Sequence, residues 1–218
     1  MRTKTLLMTA AVVAAGLGAS VAQTVYSVNS VGYVNKTLVP GYNLISSPLN
    51  ATNSSLDTVL PVVPDGTVIL KWDSALQTFA EANQYYEGIP GWFPSGTVTP
   101  GEGFFINIPG VSSVTVTFVG EVPQGSLTNR IAGNYSLIAQ IVPQSISLTA
   151  PGVGFPPQDG DIYLPWSAAL QTFGDSSQYY EGIPGFFPYD PTPAVAEGFF
   201  YNTGPAAGRN WTRTFSVN

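Results

Sequence analysis

Gln84-Tyr85-Tyr86-Glu87-Gly88-Ile89-Pro90-Gly91-Trp92-Phe93-Pro94 returns as Gln178-Tyr179-Tyr180-Glu181-Gly182-Ile183-Pro184-Gly185-Phe186-Phe187-Pro188, 94 residues later. Ten of the eleven positions are identical, and only Trp92 against Phe186 differs. The copies extend outward on both sides. Trp72-Asp73-Ser74-Ala75-Leu76-Gln77-Thr78-Phe79 pairs with Trp166-Ser167-Ala168-Ala169-Leu170-Gln171-Thr172-Phe173, and Asp65-Gly66 with Asp159-Gly160. Downstream, Glu102-Gly103-Phe104-Phe105-Ile106-Asn107 pairs with Glu197-Gly198-Phe199-Phe200-Tyr201-Asn202 after one inserted residue. The chain reads as a tandem duplication with repeats at 23–122 and 123–218. The segment joining them, around Val122-Pro123-Gln124-Gly125, is short, which favours one pseudo-twofold domain over separate beads.

Helical periodicity is nearly absent. Ser54-Ser55-Leu56-Asp57-Thr58-Val59-Leu60 reads as a turn or two of capped helix stopped by Pro61. Elsewhere, short β-branched and aromatic runs lie between Gly, Pro, Asn and Asp clusters. Thr67-Val68-Ile69-Leu70-Lys71-Trp72, Val25-Tyr26-Ser27-Val28 and Ser136-Leu137-Ile138-Ala139 read as strands. In Ser113-Val114-Thr115-Val116-Thr117-Phe118-Val119 strict alternation sends Val114, Val116 and Phe118 to one face and the threonines to the other. Strands with no intervening helices predict an all-β fold: an antiparallel sandwich or barrel built from two pseudo-symmetric repeats. The terminal segments Thr24–Asn29 and Thr214–Asn218 are candidate edge strands. They either pair with each other and close the domain or pair between molecules.

Residues 1–22 read as a secretory signal peptide. Arg2 and Lys4 precede an apolar stretch from Leu6 to Ala15, and Ser20-Val21-Ala22 offers a cleavage site. The mature chain then has 218 − 22 = 196 residues, no transmembrane span, and an extracellular or cell-surface location. Two of the 7 basic residues lie in that signal, so the mature balance is 5 − 13 = −8. That sparse, acidic charge argues against nucleic-acid binding and against anionic membranes. The absence of Cys and His removes disulfides, thiol chemistry, the commonest general base and the commonest zinc ligand.

Gly41-Tyr42-Asn43-Leu44-Ile45-Ser46-Ser47-Pro48-Leu49, then Trp72-Asp73, then Pro100-Gly101-Glu102-Gly103-Phe104-Phe105, resembles secreted prokaryotic β modules. Those modules open with a Gly-Trp-Asn-Leu-Ile-Ser-Leu-Pro type motif, pass an aromatic-Asp pair and close with Pro-Gly-x-Gly and aromatics. The first repeat carries the pattern well. The second departs from it at Asn134-Tyr135-Ser136 and at Val195-Ala196. The resemblance implies a non-catalytic, accessory or structural role.

The duplicated eleven-residue loops are the candidate ligand sites. Tyr85, Tyr86, Trp92 and Phe93 with Gln84 and Glu87 form one platform for stacking on sugar rings, and Tyr179, Tyr180, Phe186 and Phe187 with Gln178 and Glu181 form the other. The alternative is that the same aromatics fold back as a small core. Glu87 and Glu181, or Glu102 and Glu197, make poor glycosidase pairs, because duplicated surroundings give both carboxyls the same acidity when hydrolysis needs two different ones. Asp159-Gly160-Asp161 and Asp175 lack calcium-loop spacing and read as turn residues, since Thr67 stands at the position matching Asp161. No cofactor or metal is expected, and no enzyme. The expected function is a secreted, non-enzymatic structural or adhesive protein, with itself (through edge strands) or a surface glycan as partner. The alternative is a carbohydrate-binding module with two similar aromatic sites.

Overall fold

The computed structural model describes residues 30–89, 91–183 and 185–217. The expected export signal and the strand expected at 25–28 lie outside them. Among the described residues the first repeat contributes β1 (Val31–Leu38), β2 (Gly41–Ser46), α1 (Leu56–Val59), β3 (Val68–Asp73), β4 (Thr78–Phe79), β5 (Asn83–Tyr86), β6 (Gly91–Phe93), β7 (Gly103–Ile108) and β8 (Val114–Glu121). The second contributes β9 (Gly125–Ile131), β10 (Tyr135–Ala139), β11 (Ile162–Leu164), β12 (Trp166–Ser167), β13 (Thr172–Phe173), β14 (Ser177–Tyr180), β15 (Gly185–Phe187), β16 (Gly198–Asn202) and β17 (Arg209–Phe215). The fold is all-β with antiparallel pairing. One sheet runs β2-β7-β3-β5-β6 with β4 hung on β3, and the other runs β10-β16-β11-β14-β15. A two-stranded ribbon belongs to each, β1-β8 and β9-β17.

Consecutive apolar residues in the sheet strands are explained by burial on both faces. Period-2 alternation sends Ile45, Ile69, Phe104 and Ile106 into a core shared with Val116 and Phe118 of the first ribbon. Their neighbours Leu44, Leu70 and Phe105 point the other way, into an apolar layer shared with Leu137, Leu164 and Phe200 of the second sheet. Ile138, Tyr163, Phe199 and Tyr201 face a third cluster with Trp211 of the second ribbon. The apolar order is therefore ribbon core, inter-sheet layer, ribbon core. In β8 the predicted alternation holds, with Val116 and Phe118 buried and Thr115 and Thr117 exposed. Of the expected C-terminal edge segment Thr214–Asn218, Thr214 and Phe215 form the end of β17, which pairs with β9 of the same repeat.

The sheets meet at a tight crossing. Ile45 bridges Glu197, and Glu102 bridges Ile138. Ser46 N–H donates to the Ala196 carbonyl at 3.3 Å, and Ala139 N–H to the Gly101 carbonyl at 2.9 Å. A Cβ on Gly198 would sit 2.9 Å from the Ile45 carbonyl oxygen and 3.2 Å from the Gly103 Cα, so glycine is required for this approach. The departures of the second repeat from the motif are conservative in geometry. Asn43 Oδ1 accepts from Val39 N–H at 2.9 Å and its Nδ2 donates to the Val39 carbonyl at 2.8 Å. Ser136 Oγ accepts from Ala132 N–H at 2.8 Å and closes the same four-residue turn. Asn134 adopts φ 59° where Gly41 adopts 86°, and Ala196 adopts 59° where Gly101 adopts 90°. Asn tolerates that region well, whereas Ala carries strain there of about 1 kcal/mol.

Candidate functional site

Each duplicated loop is a β-hairpin. Gln84 pairs with Phe93, Tyr85 with Trp92 and Tyr86 with Gly91; Gln178 pairs with Phe187, Tyr179 with Phe186 and Tyr180 with Gly185. Because strand side chains alternate, each hairpin divides its aromatics between two faces. Tyr85 and Trp92 pack edge-to-face at 5.6 Å inside the first core, and Tyr179 and Phe186 do so at 5.3 Å against the second. Trp92 is 5% exposed, with its indole N–H donating to the Leu60 carbonyl at 3.0 Å and its backbone N–H to Asp57 Oδ1 at 3.0 Å. The expected platforms of four aromatics are therefore corrected. Tyr85, Trp92 and Phe186 are core residues and Tyr179 is half-buried, because the hairpins need an inner face to anchor them. What remains outside is Tyr86 and Phe93 beside half-buried Gln84, and Tyr180 and Phe187 beside Gln178, whose Oε1 accepts from Tyr180 Oη–H at 3.1 Å. Glu87 and Glu181 are exposed at the turns, held by their backbone N–H groups to Asp65 and Asp159 at 2.9 and 3.1 Å.

A second feature belongs to neither loop. A cleft of about 630 Å³ opens onto the inter-sheet layer, lined by Tyr42, Leu70, Trp72, Phe79 and Phe105 from one repeat and Tyr135, Leu164, Trp166, Phe173 and Phe200 from the other. Every lining residue has its counterpart in the other repeat. Reciprocal clasps hold it. The Gln77 amide accepts from Tyr135 N–H and donates to the Tyr135 carbonyl, both at 2.9 Å, and Trp72 Nε1–H donates to the same carbonyl at 3.0 Å. Across the cleft, Gln171 accepts from Tyr42 N–H at 2.7 Å and donates to its carbonyl at 3.0 Å, joined by Trp166 Nε1–H at 2.9 Å. Each glutamine imitates one rung of a β-ladder between repeats. Gln77 and Gln171 occupy the left-handed region at φ 54° and 53°, unusual for a residue with a Cβ, and the turn places the amide against its partner. Trp72 packs edge-to-face on Phe200 at 5.2 Å, and Trp166 on Phe105 at 5.0 Å, so the rings are crossed between repeats. The sequence marks the Trp72–Phe79 block as duplicated but gives no local sign that it faces the other repeat.

Several ionisable groups are engaged in structure. Lys71 Nζ lies 2.6 Å from Glu102 Oε1. Glu102 and Glu197 accept from Thr99 and Ala194 N–H groups in matching turns, at 3.2 and 2.8 Å. Buried Asp161 takes Arg209 Nη2 on both oxygens at 2.6 Å, Tyr201 Oη–H at 2.8 Å and Gln158 N–H at 2.8 Å. Asp161 therefore spends its oxygens within the second core.

Burial is the main force raising the ionisation points of Tyr163 and Tyr201 far above the ordinary tyrosine range. Glu197 and Tyr189 add to it at Tyr163, and the charge and hydrogen bond of Asp161 add to it at Tyr201, with Arg209 opposing. Both phenols are neutral in either state below about pH 10, so their contribution is complete there. Above it the unfolded chain releases two protons that the folded chain keeps, and stability falls by about 2.7 kcal/mol per pH unit, about 1.4 for each phenol. Ultraviolet titration is expected to show these two phenols ionising only as the protein unfolds in base. Their ionisation below pH 11 in folded protein contradicts the burial argument. Comparison with known protein families, curated proteins and solved structures gives no match, so the functional reading rests on this geometry.

Proposed function

We propose that this chain acts outside the cell as a non-enzymatic β protein with a structural or adhesive role. One observation carries the reading: two matching hairpins, each anchored by an inward-facing aromatic pair, display apolar groups outward. Ile89 and Phe93 are 82% and 74% exposed, and Ile183 and Phe187 are 77% and 69% exposed. Large apolar side chains grouped on a surface favour contact with another surface, and two equal contacts on one unit gain avidity that neither has alone. The clasps between repeats support this role, since they hold the two hairpins in a fixed relation. The reading also takes residues 1–22 as an export signal. The test is retention of purified mature protein on cell-envelope or matrix material, with self-association followed by sedimentation. Replacing Ile89, Phe93, Ile183 and Phe187 together by Ser is expected to abolish retention while leaving the fold intact. A wild-type chain that neither adheres nor self-associates removes the proposal.

A second reading, a carbohydrate-binding module, is favoured by one arrangement. Gln84 is cross-strand neighbour to Phe93, and Gln178 to Phe187, so a hydrogen-bonding amide adjoins an exposed ring at both hairpins. A glycan array decides it. Binding that is lost in Phe93→Ala and Phe187→Ala variants supports this reading over the first.

A further inference from the structure

We infer that the cleft between the repeats is a binding site for one uncharged, predominantly apolar small molecule. The volume, about 630 Å³, falls within the range of roughly 300–1,000 Å³ typical of small-ligand sites. Its floor is Phe105 and Phe200, buried beneath the opening, and its rim carries Phe79 and Phe173, 40% and 43% exposed. Those rim rings are held rather than loose. Phe79 packs edge-to-face on Trp72 at 5.1 Å, and Phe173 on Trp166 at 5.1 Å, so the cleft is preformed and binding orders little. Water against so many ring surfaces is displaced favourably by an apolar occupant.

The chemistry of the lining narrows the class. None of the ten lining side chains carries a charge at neutral pH, so an anion would lose its hydration with nothing in return and a cation would regain only ring-face contacts of about 0.5–2 kcal/mol. Both indole N–H groups are already bonded to the carbonyls of Tyr135 and Tyr42, and both glutamine amides are occupied in the clasps. The side-chain polar groups left among the ten are the Tyr42 and Tyr135 hydroxyls. Two hydroxyls are too few to replace the hydrogen bonds a sugar gives up on leaving water, which separates this site from the hairpins and their glutamines. A macromolecular partner fits less well, since specific protein interfaces use about 20–30 residues a side and this concavity offers ten. The site goes beyond an adhesive role and is independent of the hairpin tips.

The probe is N-phenyl-1-naphthylamine, uncharged and fluorescent in apolar surroundings. Of the four tryptophans, Trp72 and Trp166 line the cleft while Trp92 and Trp211 lie in the two ribbon cores. Energy transfer from tryptophan to the probe therefore reports occupancy. Saturable binding of one probe per mature chain is expected. Leu70→Phe with Leu164→Phe fills the cleft with further apolar volume, and Phe79→Ser with Phe173→Ser removes the rim. Either double variant is expected to weaken binding by about tenfold or more in protein that still unfolds cooperatively, and Phe93→Ala with Phe187→Ala to leave binding unaltered. Displacement by naphthalene and not by a long-chain alcohol assigns an aromatic ligand; the reverse assigns an aliphatic one. Absence of saturable binding, binding untouched in both cleft variants, or displacement by an oligosaccharide overturns the inference.

Discussion

Trp92→Ala is expected to destabilise the protein by about 3–5 kcal/mol, the range found when a large buried aromatic is truncated. Its neighbour Phe93→Ala is expected to change stability by no more than about 0.5 kcal/mol, as for an ordinary exposed position. The two residues are adjacent, both aromatic and both in the duplicated motif, so the contrast isolates the face they occupy. Trp92 fills the first core against Tyr85 and its indole N–H satisfies the Leu60 carbonyl. Alanine leaves a cavity and a buried carbonyl without its partner, and both costs add. Phe93 makes no such closure; it is the outward residue of the same strand. Phe186→Ala is expected to behave like Trp92→Ala but less severely, since phenylalanine carries no donor. Urea midpoints of the variants check the series. Equal midpoints for Trp92→Ala and Phe93→Ala would return Trp92 to the surface.

That contrast also shows how far the residues alone can be read. Alternation in Val114–Phe118 identifies which side chains turn inward, because threonine and valine differ in polarity. Tyr85-Tyr86 and Trp92-Phe93 give no such contrast: a strand must put one of each pair inside, but two aromatics do not say which. The choice falls to what lies beneath, here the Leu60 carbonyl and the Asp57 carboxylate, 32 and 35 residues away in sequence. Phe104-Phe105-Ile106 poses the same difficulty differently. Its unbroken apolarity is the mark of a strand covered on both faces, and the second cover is the other repeat. The cleft follows from that docking. Gln77 and Tyr135 are 58 residues apart, and nothing local in either tells that an amide side chain meets a strand end. Duplication is plainly legible; the way the copies embrace is a tertiary fact.

Asp161→Ala is expected to cost about 3–5 kcal/mol, the usual penalty for removing one partner of a buried ion pair. Asp161 receives Arg209 on both oxygens together with the Tyr201 hydroxyl, while Arg209 Nε and Nη1 are buried without a partner. Deleting the carboxylate strands a cation in the second core. The chain carries its own control, because the first repeat solves the same position without charge. Thr67 stands for Asp161, Ile106 for Tyr201, and Val114, which opens β8 as Arg209 opens β17, stands for Arg209. Thr67 needs only its hydroxyl bond to the Pro64 carbonyl, at 2.7 Å. Grafting that set, as Asp161→Thr with Tyr201→Ile and Arg209→Val, is expected to leave stability within about 2 kcal/mol of the parent, since buried ion pairs are often replaceable by apolar residues at little net cost. Three changes would then harm the fold less than one, a non-additivity that a mutant cycle in urea measures directly. If the triple variant is instead as unstable as the sum of its parts, the ion pair contributes to the second core in a way the first repeat has no means of replacing.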